Sequence, residues 1–153
     1  MASINTGRVV AGGLVAGVVA NLIDFVTNTY ILAADFAAWA PTRNIDPATL
    51  TSAQVAGTWV VVDFIYGLLL VWTYAAMRPR FGPGVGTAIF AGLAIFLAPT
   101  IVLYGFTQMG VMTTAMFVKG SIGAIVSTLA ASVAGAAVYK EEGAGATGPA
   151  YAR

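Results

Sequence analysis

Four apolar runs dominate this sequence, and each is long enough to cross a lipid bilayer. They cover residues 9–32, 55–77, 85–106 and 111–139. A transmembrane helix needs about 20 mostly apolar residues, and a helix satisfies its own backbone hydrogen bonds in lipid. The sequence therefore predicts an all-α integral membrane protein, a four-helix bundle within residues 1–140. A Gly- and Ala-rich tail follows at 141–153.

Composition excludes several classes of function. Hydrophobic residues make up 59% of the chain and charged residues only 8%, whereas a soluble domain carries about a quarter charged residues. This balance argues against a soluble enzyme and, with a net charge of +1, against a nucleic-acid binder. Cys and His are absent, which removes thiolate catalysis and the commonest metal ligands. We expect no enzyme activity, no metal and no cofactor.

The links between the runs have turn chemistry. A Gly- and Pro-rich link at 78–84 separates the second and third runs, and Thr107-Gln108-Met109-Gly110 separates the third and fourth. Thr51-Ser52-Ala53-Gln54 predicts the start of the second helix with a capping box. The glycines at 82–86 do not indicate a phosphate loop, because the Lys-Ser/Thr pair and the preceding strand are missing.

Basic residues predict the orientation of the bundle. One end would carry most of them, while the other carries only Arg43; the first group is Arg8, Arg78, Arg80, Lys140 and Arg153. The positive-inside rule then puts both termini in the cytoplasm, here of a bacterial inner membrane. Arg8 and the small residues near Ala20 also fit a signal peptide, but the apolar run continues to residue 32, which favours a retained helix.

The long outer connection, residues 33–53, carries two aromatic side chains. Phe36 and Trp39 are three residues apart, which suits a short helix resting on the membrane interface. The alternative, which we favour, is a loop tethered by an aromatic anchor.

Small residues predict where the helices pack closely. In lipid, small side chains let helix backbones approach one another. Gly13 and Gly17 form a ridge on the first helix, and the fourth helix has a similar stripe of Gly120, Ala124, Ser127 or Thr128, Ala131 and Gly135. We expect Gly120 and Gly135 at close contacts, within the chain or with a neighbouring subunit.

Three ionisable residues lie within the apolar runs: Asp24, Asp63 and Lys119. Isolated charges are costly in lipid, and all three fall in the outer half, with Lys119 about one turn further out. We expect Asp24 and Lys119 to pair, with Asp63 nearby. Helical spacing puts Asn21 and Asn28 on the face of Asp24, and the further candidates for hydrogen bonds are Tyr66, Thr100, Tyr104 and Gln108.

This polar cluster has more than one interpretation. It fits an ion-pair network that fixes helix register, or a site for a proton, a cation or a lipid headgroup. A catalytic Asp24–Asp63 dyad lacks a nucleophile and a metal-ligand set beside it. Met109, Met112 and Met116 could bind Cu(I), although adaptable packing suits thioethers without Cys or His.

The layout from Arg8 to Tyr139 resembles that of small uncharacterised four-helix membrane proteins of bacteria. The resemblance lies in the Gly-rich first helix, Gly12-Gly13-Leu14-Val15-Ala16-Gly17, and in a kinked third helix at Ala98-Pro99. It implies a fold and no catalytic residues.

Two functions stay open. The first is a non-catalytic accessory or scaffold subunit of a larger membrane complex, such as a respiratory or photosynthetic one. The second is a small oligomeric transporter or proton/cation carrier that uses Asp24, Asp63 and Lys119. The expected partners are the lipid bilayer and other membrane subunits, or further copies of the chain, and no nucleic acid.

Overall fold

Every predicted span is a helix in the structure, a computed structural model that describes residues 4–140. The four long helices are α1 (Thr6–Val26), α4 (Ala53–Phe81), α5 (Val85–Gln108) and α6 (Thr114–Val138). Each is long and apolar enough to cross a membrane, and no strand occurs within residues 4–140. The all-helical prediction with four candidate spans is therefore confirmed. The predicted tail at 141–153 lies outside the described residues.

Two short helices fill the long connection between α1 and α4. The chain leaves α1 through a wide π-helical turn, Thr27–Ile31, and then forms α2 (Ala33–Trp39). A 3-10 turn, Ala40–Arg43, and α3 (Pro47–Leu50) complete the connection. We call this end of the bundle the loop end, and the opposite end, with residues 4, 82–84 and 140, the terminal end.

Polar side chains cap three of the four long helices at their starts. The side chains of Asn5, Ser52 and Thr113 accept hydrogen bonds from backbone N–H groups of Arg8, Val55 and Met116. These bonds satisfy N–H groups that have no partner within the helix. The capping box predicted at residues 51–54 is only half present, because the cap is Ser52 and its third residue is Val55 rather than Gln54.

Glycines bring α1 into backbone contact with α4. A Cβ atom at Gly67 would lie 2.6 Å from the backbone nitrogen of Gly17 and would also meet the carbonyl oxygen of Gly13. Side chains larger than hydrogen therefore cannot occupy this crossing without moving a backbone. Gly13 and Gly17, predicted as packing residues, both lie in it.

A second glycine contact joins α1 to α6. A Cβ atom at Gly12 would lie 2.6 Å from the carbonyl oxygen of Gly135, and one at Gly135 would lie 2.8 Å from that of Gly12. Ala131, one turn along α6, is fully buried. The predicted stripe on α6 thus packs inside the chain over this part of the helix.

The rest of the predicted stripe, Gly120 and Ala124, does not lie at a close contact within the chain, so this part of the prediction is wrong there. Ala124 is exposed, and a Cβ atom at Gly120 would meet only Leu32, at an ordinary 3.9 Å. The contact residue is Gly123 instead, which faces the Thr27 side chain. The buried face of α6 repeats every four residues, from Gly135 through Ala131 and Ser127 to Gly123. The predicted stripe took three residues from Ser127 to Ala124 instead, and so moved off the buried face.

Hydroxyl groups add contacts at the terminal end and along α5. Ser132 Oγ donates to the Ala88 carbonyl at 2.7 Å, which joins α6 to α5. The Tyr74 and Tyr139 rings meet edge to face at 5.9 Å, and the Arg78 guanidinium lies over the Tyr139 ring. The Tyr74 hydroxyl also accepts the Gly84 N–H, at the start of α5.

Replacement of Gly135 by Leu should destabilise the bundle, whereas Gly120→Leu on the same helix should not. Overpacking a close contact costs about 1–3 kcal/mol or more, but the Cβ position of Gly120 has room. The measurement is thermal unfolding of both variants in the same detergent. Equal loss of stability in the two variants would contradict the packing described here.

Candidate functional site

The carboxyl groups of Asp24 on α1 and Asp63 on α4 meet inside the bundle. Each is a hydrogen-bonding neighbour of the other, and Asp24 also interacts with the Ser127 hydroxyl of α6. Both aspartates are partly buried, and Ser127 is 3% exposed. Three helices therefore contribute to one polar site. We call its two aspartates, Asp24 and Asp63, the acid pair.

The structure does not bring Lys119 to the acid pair. Its Nζ atom lies 2.6 Å from Oδ2 of Asp35, on the short helix α2. Lys119 is eight residues from Ser127, or about 12 Å along α6, and α2 folds over the loop end within reach of its side chain. Within residues 4–140, neither member of the acid pair forms an ion pair with Lys or Arg. The predicted Asp24–Lys119 pair is therefore wrong.

The two predicted asparagines bind backbone rather than the acid pair. Asn21 Nδ2 donates to the Gly17 carbonyl at 2.9 Å and, across to α4, to the Val60 carbonyl at 3.4 Å. Asn28 Nδ2 donates to the Asp24 carbonyl at 2.8 Å. Their amides satisfy carbonyls one turn earlier on α1, so the polar face of α1 contributes only the Asp24 side chain to the site.

Tyr66 links the neighbourhood of the acid pair to α5. Its hydroxyl donates to the Ile95 carbonyl at 3.0 Å. Pro99 has no N–H to offer the carbonyl four residues earlier, which is Ile95. The tyrosine supplies the hydrogen bond that the proline removes, and this pairing explains how α5 carries a proline inside a membrane-length helix.

The other predicted hydrogen-bonding groups on α5 lie away from the acid pair. Thr100 Oγ1 donates to the Phe96 carbonyl, and Gln108 Nε2 donates to the hydroxyl of its neighbour Thr107. The Tyr104 ring packs on Phe117 of α6 and is 54% exposed. Thr100 and Gln108 are satisfied locally, and the contribution of α5 to this region is the Ile95 carbonyl.

The three methionines do not converge on one point. Met116 is buried, whereas Met109 is 74% exposed. Met112 and Met116 instead line a small apolar groove between α5 and α6, together with Phe117 and Leu103. Among the described residues, no group of three or more Asp or Glu side chains could hold a metal ion.

A second polar site holds the connection 32–44 against α6 and the turn before it. Besides the Asp35–Lys119 ion pair, Trp39 Nε1 donates to the Val111 carbonyl at 3.0 Å, and the Arg43 guanidinium donates to the Gly110 carbonyl. The favoured prediction of a loop tethered by an aromatic anchor is wrong, because the connection around Trp39 is helical. Asp35 was missed because its role depends on α2 folding back, which no local pattern shows.

Comparison with protein-family models, with curated proteins and with solved structures finds no match to this chain. The site is therefore interpreted from its own geometry.

Loss of the Tyr66 hydroxyl should weaken the α4–α5 contact. In Tyr66→Phe, the Ile95 carbonyl loses its donor, and interhelical hydrogen bonds in membranes contribute about 0.6 kcal/mol, up to about 1.7 kcal/mol. Tyr104→Phe, at an exposed ring, is the matched control. Reversible unfolding in detergent micelles measures both, and an equally small effect in the two variants would count against the role of Tyr66.

Proposed function

We propose that this chain is a non-catalytic accessory or scaffold subunit of a larger complex in the bacterial inner membrane, with both termini in the cytoplasm. The observation that carries the proposal is the uncovered loop-end half of α4, residues 53–65. Within the whole span Pro47–Phe81, only 17% of an apolar 18-residue stretch is buried inside the chain, against 28–39% for the other three spans. None of residues 53–65 is fully buried.

Exposed large side chains line this half of α4. Trp59 is 62% exposed, Val61 58% and Ile65 61%. Lipid can cover such side chains, but this segment also carries a partly exposed carboxyl, that of Asp63. A carboxyl at membrane depth is more stable beside protein or water than beside acyl chains, which favours a protein neighbour on this face.

An open glycine gives the proposal a direct test. A Cβ atom at Gly57 would have nothing within 4 Å, so Gly57→Leu leaves the chain itself undisturbed. We expect wild-type protein, extracted from native membranes in mild detergent, to co-purify with companion subunits at fixed stoichiometry. Gly57→Leu should reduce that recovery severalfold, because added bulk separates closely packed helices.

Gly86→Leu is the control variant. Its Cβ position is also open, but it lies on the terminal half of α5, so assembly should persist. Recovery of the wild-type chain as a lone monomer, or equal recovery with Gly57→Leu, would contradict docking on α4.

A second candidate function, a proton or cation carrier, is favoured by the acid pair. Asp24 and Asp63 are neighbours, and the nearby lysine is engaged by Asp35. Two negative charges side by side in a medium of low dielectric repel strongly, so a proton or a cation must balance the pair. The carrier proposal therefore rests on Asp24 and Asp63 and no longer on Lys119.

The carrier proposal predicts that Asp24→Asn and Asp63→Asn abolish ion flux. Wild-type protein in liposomes should dissipate a proton or sodium gradient faster than empty liposomes, and each Asn variant should fall to the empty rate because it removes an ionisable group at nearly constant volume. Asp46→Asn, at the carboxyl that caps α3, should keep the wild-type rate. Wild-type liposomes no faster than empty ones would eliminate this function.

A further inference from the structure

The contact between α1 and α6 forms a seam that leads from the loop end to the acid pair. Four layers close it in succession. Outermost is the Asp35–Lys119 ion pair, followed by Leu32 beside Gly120, and then by Thr27 against Gly123. The innermost layer is Asp24 with Ser127.

Residues above the acid pair are well packed, although the outermost layer is more exposed. Leu32 and Thr27 are each 6% exposed. The Lys119 side chain, by contrast, is 45% exposed and that of Asp35 17%. An exposed ion pair is weak and screened by salt. The Asp35–Lys119 layer at the outer end of the seam is therefore the one most easily broken.

The chain beside this seam changes its helical pitch. Leu32 N–H donates to the carbonyl of Thr27, five residues earlier, at 2.9 Å. Such wide turns are rare within α-helices and often occur at functional sites. The turn Thr27–Ile31 lies between α1, which is held in the bundle by its glycines, and the segment 32–44, which is held by three polar contacts.

All three polar contacts of segment 32–44 reach the same neighbour, on which Leu32 of the segment also packs beside Gly120. Asp35 pairs with Lys119 of α6, Trp39 binds the Val111 carbonyl, and Arg43 binds the Gly110 carbonyl. Release of the polar contacts would leave Leu32 as the segment's remaining contact with α6 and would leave the glycine contacts of α1 in place.

We propose that segment 32–44 is a latch: it closes the loop end of the α1–α6 seam over the acid pair and swings open on the wide turn Thr27–Ile31. The ion pair between Asp35 and Lys119 is the outermost of its polar contacts. The latch controls the access of water and hydrophilic solutes to Asp24, Asp63 and Ser127. It does not depend on either proposed function.

Thiol labelling tests the latch directly, because the chain has no cysteine of its own. The Ser127→Cys variant puts a single thiol beneath the latch, at a position that is 3% exposed. The probe is a hydrophilic methanethiosulfonate reagent, applied to purified protein in detergent. Lys119→Met or Asp35→Asn in this background should raise the labelling rate about two- to fivefold, as expected for an exposed ion pair.

Further variants separate the ion pair from the other contacts. Combining Asp35→Asn with Trp39→Phe and Arg43→Gln removes all three side-chain contacts and should raise the rate about tenfold or more. The charge exchange Asp35→Lys with Lys119→Asp should restore slow labelling. Asp46→Asn, which leaves the latch contacts intact, should label at the unmodified rate.

A second thiol position distinguishes latch opening from general loosening. Ser132 is 1% exposed and bonds to α5, further from the latch, so in Ser132→Cys the latch variants should leave labelling slow. Equal acceleration at both positions would show that the substitutions loosen the whole bundle. No acceleration at position 127, even with all three contacts removed, would show that segment 32–44 does not gate the seam. Either result overturns the proposal.

Discussion

Backbone contact at glycines is the constraint on which the rest of this bundle depends. In lipid, burying apolar side chains gives no advantage over leaving them among acyl chains, so helices must gain by approaching closely. Gly67 meets Gly13 and Gly17 where α1 crosses α4, and Gly12 meets Gly135 where α1 crosses α6. These contacts make α1 the helix on which α4 and α6 both pack, and they bring Asp24, Asp63 and Ser127 to one depth.

Polar groups inside the bundle follow from that arrangement. Most are satisfied at short range, as when Asn21, Asn28 and Thr100 bind carbonyls of their own helices. Others reach a neighbouring helix: Tyr66 supplies the bond that Pro99 removes from Ile95, and Ser132 joins α6 to α5. The acid pair differs, because its members face each other rather than a backbone carbonyl or a basic side chain. That exception makes it the most distinctive chemistry in the described chain.

The two proposed functions draw on different surfaces of the molecule. Docking would use the uncovered half of α4, whereas ion transfer would use the acid pair behind the latch. They meet at Asp63, which lies in the uncovered segment and belongs to the acid pair. A neighbouring subunit on α4 would therefore cover one side of the carboxyl site, and the latch would cover the loop end of the seam above it.

The sequence by itself determined the features that depend on short stretches of chain. Length and hydropathy define the four spans because each helix bonds within itself, and Ser52 and Thr113 cap helices from adjacent positions. Tertiary structure decided the pairings. Lys119 binds Asp35 because α2 folds back over the loop end, and Gly123 replaces Gly120 because packing fixes the rotation of α6. No local sequence pattern encodes either feature. The fold-back of α2 is set by a contact between residues more than 80 positions apart, and the rotation of α6 is set by the position of α1.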